Sequence, residues 1–201
     1  MPRNPAIPAL ALLLAGCASA PPPEAKKKVD PPKPVTGLTG VFRMYQMART
    51  WAPDALPLRA QSVNIPDPKS DGGKAGVWVA TFVSESRGKQ RNFSWSAIEG
   101  EGYHKDVFAQ QEQAWAGPTR ASKPFRIEAL KTDTDKAWEV AVSKSADYMK
   151  KNPNMPVFFV AEWTDRYANP TWRVVWGESI SKSSYSIFVD TTNGQYVSTG
   201  R

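Results

Sequence analysis

Cys17 is the only cysteine in this 201-residue chain, so no disulfide can close within it and any folded domain must be held by its own buried core. The means are present. Beyond residue 35 about 165 residues remain, enough for one ordinary domain or two small packed units. Eight Trp, eight Phe and six Tyr supply large apolar side chains, and each one buried removes a large area from water.

The cysteine's setting indicates a compartment. Met1-Pro2-Arg3-Asn4 is a short basic start, followed to Gly16 by an apolar run containing Leu10-Ala11-Leu12-Leu13-Leu14. This has the charged and apolar regions of an export signal and is too short for a permanent bilayer span. The run ends Leu14-Ala15-Gly16-Cys17, which resembles the lipobox of bacterial lipoprotein signals, where the cysteine is lipidated and becomes the mature N-terminus. The alternative is a secretory signal that happens to contain a cysteine. The resemblance implies a signal peptide over 1–16, a lipid anchor at Cys17 and a domain outside the cytoplasm, in the periplasm or at the cell surface. Residues 17–35, rich in Pro and Lys with almost nothing to bury, read as a semi-rigid extended tether.

The formal charge of +7 overstates the folded part, because from Thr36 onward there are 21 Lys and Arg against 17 Asp and Glu, a net of +4. No basic stripe of nucleic-acid type is visible, and no nucleic-acid partner is expected. Lys26, Lys27 and Lys28 either attract anionic headgroups beside the anchor or are a solvated spacer run.

From Thr36 the pattern is α+β. Thr39 is placed to cap a helix through Ala52, with Val41, Met44, Tyr45, Ala48 and Trp51 on one stripe. Strands are expected over 56–65, 76–84 and 92–98, with a loop over 66–74. The order then recurs: a helix capped by Asp133 or Thr134 through Lys151, then strands over 157–163, 171–176 and 185–190, the last stopped by Thr191-Thr192-Asn193-Gly194. Leu56-Pro57-Leu58 matches Met155-Pro156-Val157, Trp78 matches Trp172, and Asn92-Phe93-Ser94 matches Ser184-Tyr185-Ser186. The expectation is two tandem units, 36–102 and 130–201, joined by 103–129; there 105–115 reads as strand or helix and 125–130 as a short strand.

The second unit resembles a PepSY-type domain. The residues that carry the resemblance are the helix from Asp135-Lys136-Ala137, the strand Pro170-Thr171-Trp172-Arg173-Val174, and the ending Phe188-Val189-Asp190-Thr191-Thr192-Asn193-Gly194. The first unit departs from it, since Ser96-Ala97-Ile98-Glu99-Gly100 lacks the Asp before the turn. Two such units in tandem are also similar in architecture to the β-lactamase inhibitory proteins. The resemblance implies an exported, non-enzymatic binding or regulatory module, with peptidase inhibition as one role, and it brings no active-site residue to carry over.

The residues themselves point away from catalysis. One histidine, His104, cannot form a multi-His metal site, and no hydrolase, zinc or phosphate-loop motif is present, so no catalytic residue, metal or cofactor is expected. Ser179-Ile180-Ser181-Lys182 matches the Ser-x-x-Lys of penicillin-binding enzymes in letters only, and Asp133-Thr134-Asp135 reads as a helix cap. Strand alternation puts Val157, Phe159, Ala161 and Trp163 toward the helix, and Phe158, Val160 and Glu162 away from it with Arg173, Val175, Ser186 and Phe188. An antiparallel sheet with helices on one side normally has a polar outer face. Here that face stays partly apolar, and Phe158, Arg173, Val175 and Phe188 are the candidate contacts for a protein or peptide partner. The other reading has this face covered by residues 100–130 or by the first unit, as a second core. An enzyme acting on envelope polymers and a purely structural envelope component are the alternatives to a binding module.

Overall fold

In a computed structural model, Met1 and residues 32–200 are described, so Cys17 and most of the expected signal and tether lie outside the described residues. Helix α1 (Gly37–Trp51) buries Gly37, Gly40, Val41, Met44 and Ala48 along one stripe. It starts three residues earlier than the sequence suggests: Thr39 lies in its first turn, and Thr36 at the cap position makes no side-chain capping bond. Its first free N–H groups are satisfied from afar. Gly37 N–H donates to Thr134 Oγ1 at 2.7 Å and Leu38 N–H to Asp133 Oδ1 at 2.9 Å. The same Asp133 carboxylate accepts from Thr134 N–H at 2.7 Å, capping helix α2 (Thr134–Lys151) where the sequence places that cap. One aspartate thus serves two helix N-termini. Within α2, Ser145 leaves helical geometry while its hydroxyl donates to the Ala141 carbonyl, the back-bonding that bends helices.

The strands are β1 (Val35–Thr36), β2 (Leu56–Val63), β3 (Lys74–Ala75), β4 (Val77–Ser84), β5 (Lys89–Ser96), β6 (Asp106–Ala109), β7 (Gln113–Ala114), β8 (Val157–Glu162), β9 (Thr171–Gly177), β10 (Ser183–Asp190) and β11 (Tyr196–Gly200). β1 and β3 form a small antiparallel pair. The other nine form one antiparallel sheet, in the order β11-β10-β9-β8-β2-β4-β5-β6, with β7 also on β5. The architecture is α+β. Its two halves meet at β2 and β8, where Ala60 lies opposite Ala161 and hydrogen bonding runs unbroken between them.

One expectation resolves between its alternatives and two need correction. Within 103–129 the segment expected as strand or helix is strand, β6 and β7 extending the sheet beyond β5. The short strand expected over 125–130 is a 3-10 turn, Ile127–Ala129, that buries Phe125, Ile127 and Leu130 without ladder partners. The stop at 191–194 ends β10, but Gly194, at φ 75°, turns the chain back to add β11 as an edge strand.

Both helices lie on one face. α1 covers β4 and β5 and α2 covers β9 and β10, around a continuous core containing Phe82, Phe93, Phe159 and Trp176. Trp78 on β4 and Trp172 on β9 are fully buried with ring centroids 6.2 Å apart. Each indole N–H finds a backbone carbonyl, Val35 at 3.0 Å and Thr132 at 2.8 Å, so the polar tip of each buried ring is satisfied. The helix descends onto these rings at its glycines: a Cβ on Gly40 would lie 2.7 Å from the Trp78 ring, and one on Gly37 would lie 2.7 Å from that of Trp172.

Candidate functional site

Two surfaces have the makings of a site, one on each side of the sheet. On the face away from the helices, register aligns Ser94, Val79, Gln61, Val160, Arg173 and Phe188 across six strands. Phe158, Arg173, Val175 and Phe188 do share this face, as alternation requires. Their exposure differs from expectation: Phe158 is 7%, Val175 0% and Phe188 6% exposed. Ile180, in the turn between β9 and β10, packs on Phe158, Val160 and Val175 as a second small core. Phe188 is covered by the Tyr167 ring at 5.2 Å and by the guanidinium groups of Arg166 and Arg173 at 5.5 and 5.3 Å. The cover over these residues comes from the two turns flanking β9.

What stays accessible there is charged, with three arginines beside Glu162, which pairs opposite Arg59, and Glu178. Arg166 is exposed, and Arg59 and Arg173 are half-buried. Arg173 Nε–H donates to Ser186 Oγ at 3.0 Å, and Arg59 Nη2–H donates to Gln61 Oε1 at 3.2 Å. Arg59 Nε is buried with no partner. Arg59 also lines two adjoining hollows of about 370 and 550 Å³, one running to Gln110 and the other to Ile180. Among the described residues none of these three arginines forms an ion pair.

The second surface lies on the helix side and has no counterpart in the sequence reading. A cleft of about 610 Å³ opens between the loop joining β2 to β3 and the C-terminal end of α2. Its floor is Phe159, Trp176 and half-buried Trp138, with Trp138 6.0 Å from Trp176 and 6.3 Å from Phe159. Asn64, Ser70, Asn152 and Asn154 stand around its rim with one cation, Lys69, and one carboxylate, Asp71. The segments Pro66-Asp67-Pro68 and Asn152-Pro153-Asn154 are visible in sequence as turns; nothing there says that the two turns face each other.

Reactive groups are dispersed. Among the described residues no three of His, Cys, Asp or Glu are grouped closely enough to hold a metal ion. His104 Nδ1 lies 2.9 Å from Glu99 Oε1, both side chains more than half exposed. The N–H of Lys105 and the His104 ring hold the Glu99 carboxyl below its usual range. Ser179 lies in the turn before β10, and Lys182 turns to Glu178 at 3.4 Å. No helix among the described residues is long and apolar enough to cross a membrane.

No family model matches the chain, and no curated protein matches it. Among solved structures it aligns with a protein of Clostridium difficile 630 (CD1622), provisionally assigned as a lipoprotein, at 12% identity and a TM-score of 0.47. The alignment covers 86% of this chain and 95% of that one.

Proposed function

We propose that this protein is a lipid-anchored lipoprotein of the bacterial envelope, held through Cys17, whose helix-covered sheet binds an acidic protein or peptide and catalyses no reaction. The anchor rests on Leu14-Ala15-Gly16-Cys17 behind an apolar run. The reading of the domain as tandem PepSY-like units rests on the recurring order of helix and three strands, and on Trp78 and Trp172 occupying the second strand of each half. The observation that carries partner binding is the trio of arginines on the outer face, none of which forms an ion pair among the described residues although Glu162 and Glu178 lie near Arg59. A guanidinium offers five donors in a planar fork that suits a carboxylate, and partner binding concentrates in a few such residues. Phe158, Val175 and Phe188 then act as the apolar bed that holds Arg173, and the contact itself passes to Arg173 with Arg59.

The test is capture from the organism's own envelope fraction by the immobilised protein and by Arg59→Ala and Arg173→Ala, each with its melting curve. The expected outcome is one envelope protein retained by the wild type, retained tenfold or more weakly by each variant, about 1.4 kcal/mol, with little change in melting temperature. Equal retention by all three, or none by the wild type, removes the arginine face as the binding surface.

A further inference from the structure

We propose that the cleft between the β2–β3 loop and the end of α2 is a binding site for a neutral saccharide. It lies on the opposite side of the sheet from the arginines and goes beyond the reading given above. Its volume, about 610 Å³, falls within the range of small-molecule sites, roughly 300–1,000 Å³. The aromatic ring open to the cleft is half-buried Trp138, backed by Trp176 at 6.0 Å, while Trp176 and Phe159 are themselves buried in the core. A partly open indole takes a ligand with an apolar face, which the axial C–H groups of a sugar ring provide.

The rim decides the rest of the chemistry. Asn64 spends its Nδ2–H on the Val157 carbonyl at 3.0 Å, and Asn152 spends its own on the Tyr148 carbonyl at 2.9 Å. In each amide the oxygen and the second N–H remain, one to accept and one to donate. Ser70 Oγ is buried with no partner. Asp71 adds a carboxylate, matched in charge by Lys69, so the rim has no net charge to select an ion. A ligand that satisfies this set is uncharged and offers donors and acceptors side by side, and clustered hydroxyls, each donor and acceptor at once, meet that need. A peptide that adds as a strand draws its affinity from main-chain bonding to a sheet edge, whereas the polar groups here belong to side chains.

The site is also built to hold its shape. The loop is clamped by reciprocal backbone bonds between Asp71 and Lys74, at 3.0 and 2.8 Å, and by the Thr134 hydroxyl donating to the Gly73 carbonyl. A rigid rim loses little freedom when a ligand arrives.

The experiment uses the full chain as its soluble Cys17→Ser variant, titrated calorimetrically with tetra-N-acetylchitotetraose, cellotetraose, maltotetraose and, as a peptide control, heptaproline. The expected result is saturable binding of at least one tetrasaccharide in the millimolar range or tighter. Trp138→Ala and Asn154→Ala should each weaken it tenfold or more, while Arg173→Ala leaves it unchanged. Asn154 is exposed, so its variant reports on the rim even if Trp138→Ala loosens the core. No binding of any tetrasaccharide, binding of heptaproline alone, or sugar binding indifferent to Asn154→Ala overturns the proposal. None of these results bears on the arginine face.

Discussion

Asp54, an exposed residue in the turn after α1, fastens the turn between β4 and β5 through single atoms. The Ser84 hydroxyl donates to one carboxylate oxygen at 2.6 Å and Ser86 N–H to the other at 2.9 Å. These bonds, with Ser84 the larger influence, favour the ionised form and lower its pKa from 3.8 to about 2. A depressed carboxyl pKa contributes stability above the unfolded value and loses it as pH falls through the folded value. The contribution is therefore present at pH 7 and decays between about pH 4 and pH 2. Asp54→Asn should be less stable than the wild type in urea at neutral pH, with the gap closing by pH 2. A gap that stays constant across that range would mean the charge is not what holds the turn. Asp190 is a second case. Burial opposes ionisation there, but bonds from Thr192 and Asn169 outweigh it and lower the pKa, so its contribution also fades on the acid side.

At the scale of the element, α1 is decided by its contact with the sheet. Glycine inside a helix costs about 1 kcal/mol relative to alanine, so propensity alone makes Gly40→Ala stabilising. The geometry reverses the sign, because the new Cβ would meet the Trp78 ring at 2.7 Å, and that ring is fully buried with no free direction to move. Overpacking of a tight core costs roughly 1–3 kcal/mol, so against that gain a net loss of about 1 kcal/mol is expected. The denaturation midpoint of Gly40→Ala measures it, and a midpoint above the wild type's would show that Trp78 yields. The apolar stripe of α1 was legible in sequence at Val41, Met44 and Ala48. Its first residue was not, because the groups that satisfy its N-terminus lie 95 and 97 positions away, in Asp133 and Thr134.

For the whole molecule, the lipid anchor makes a prediction that the fold does not touch. Replacing Cys17 with Ser should abolish incorporation of labelled palmitate and shift the protein from the membrane to the soluble fraction. The melting temperature should not change, since the buried core is assembled from residues 41–189. A Cys17→Ser protein still extracted only by detergent would refute the lipoprotein reading. The same comparison shows whether Lys26, Lys27 and Lys28 alone hold the chain at anionic headgroups, in which case release requires salt.

The periodicities were legible in the chain alone: two helices, six of the long strands, their inward and outward residues, and the α+β class. These are local properties, since alternation by two or by 3.6 assigns a face whatever lies opposite. Only the tertiary structure decided what each face meets. Alternation placed Phe158, Val175 and Phe188 on the outer face, yet Ile180 and Tyr167 fold back over them from turns whose composition signals only that the chain reverses. The pairing of β2 with β8, about a hundred residues apart, joins the two halves into one sheet. The 610 Å³ cleft likewise exists because two polar turns come to stand beside the Trp138 ring. Such contacts follow from long-range packing, where many sequences present the same pattern and only the assembled core selects the partner.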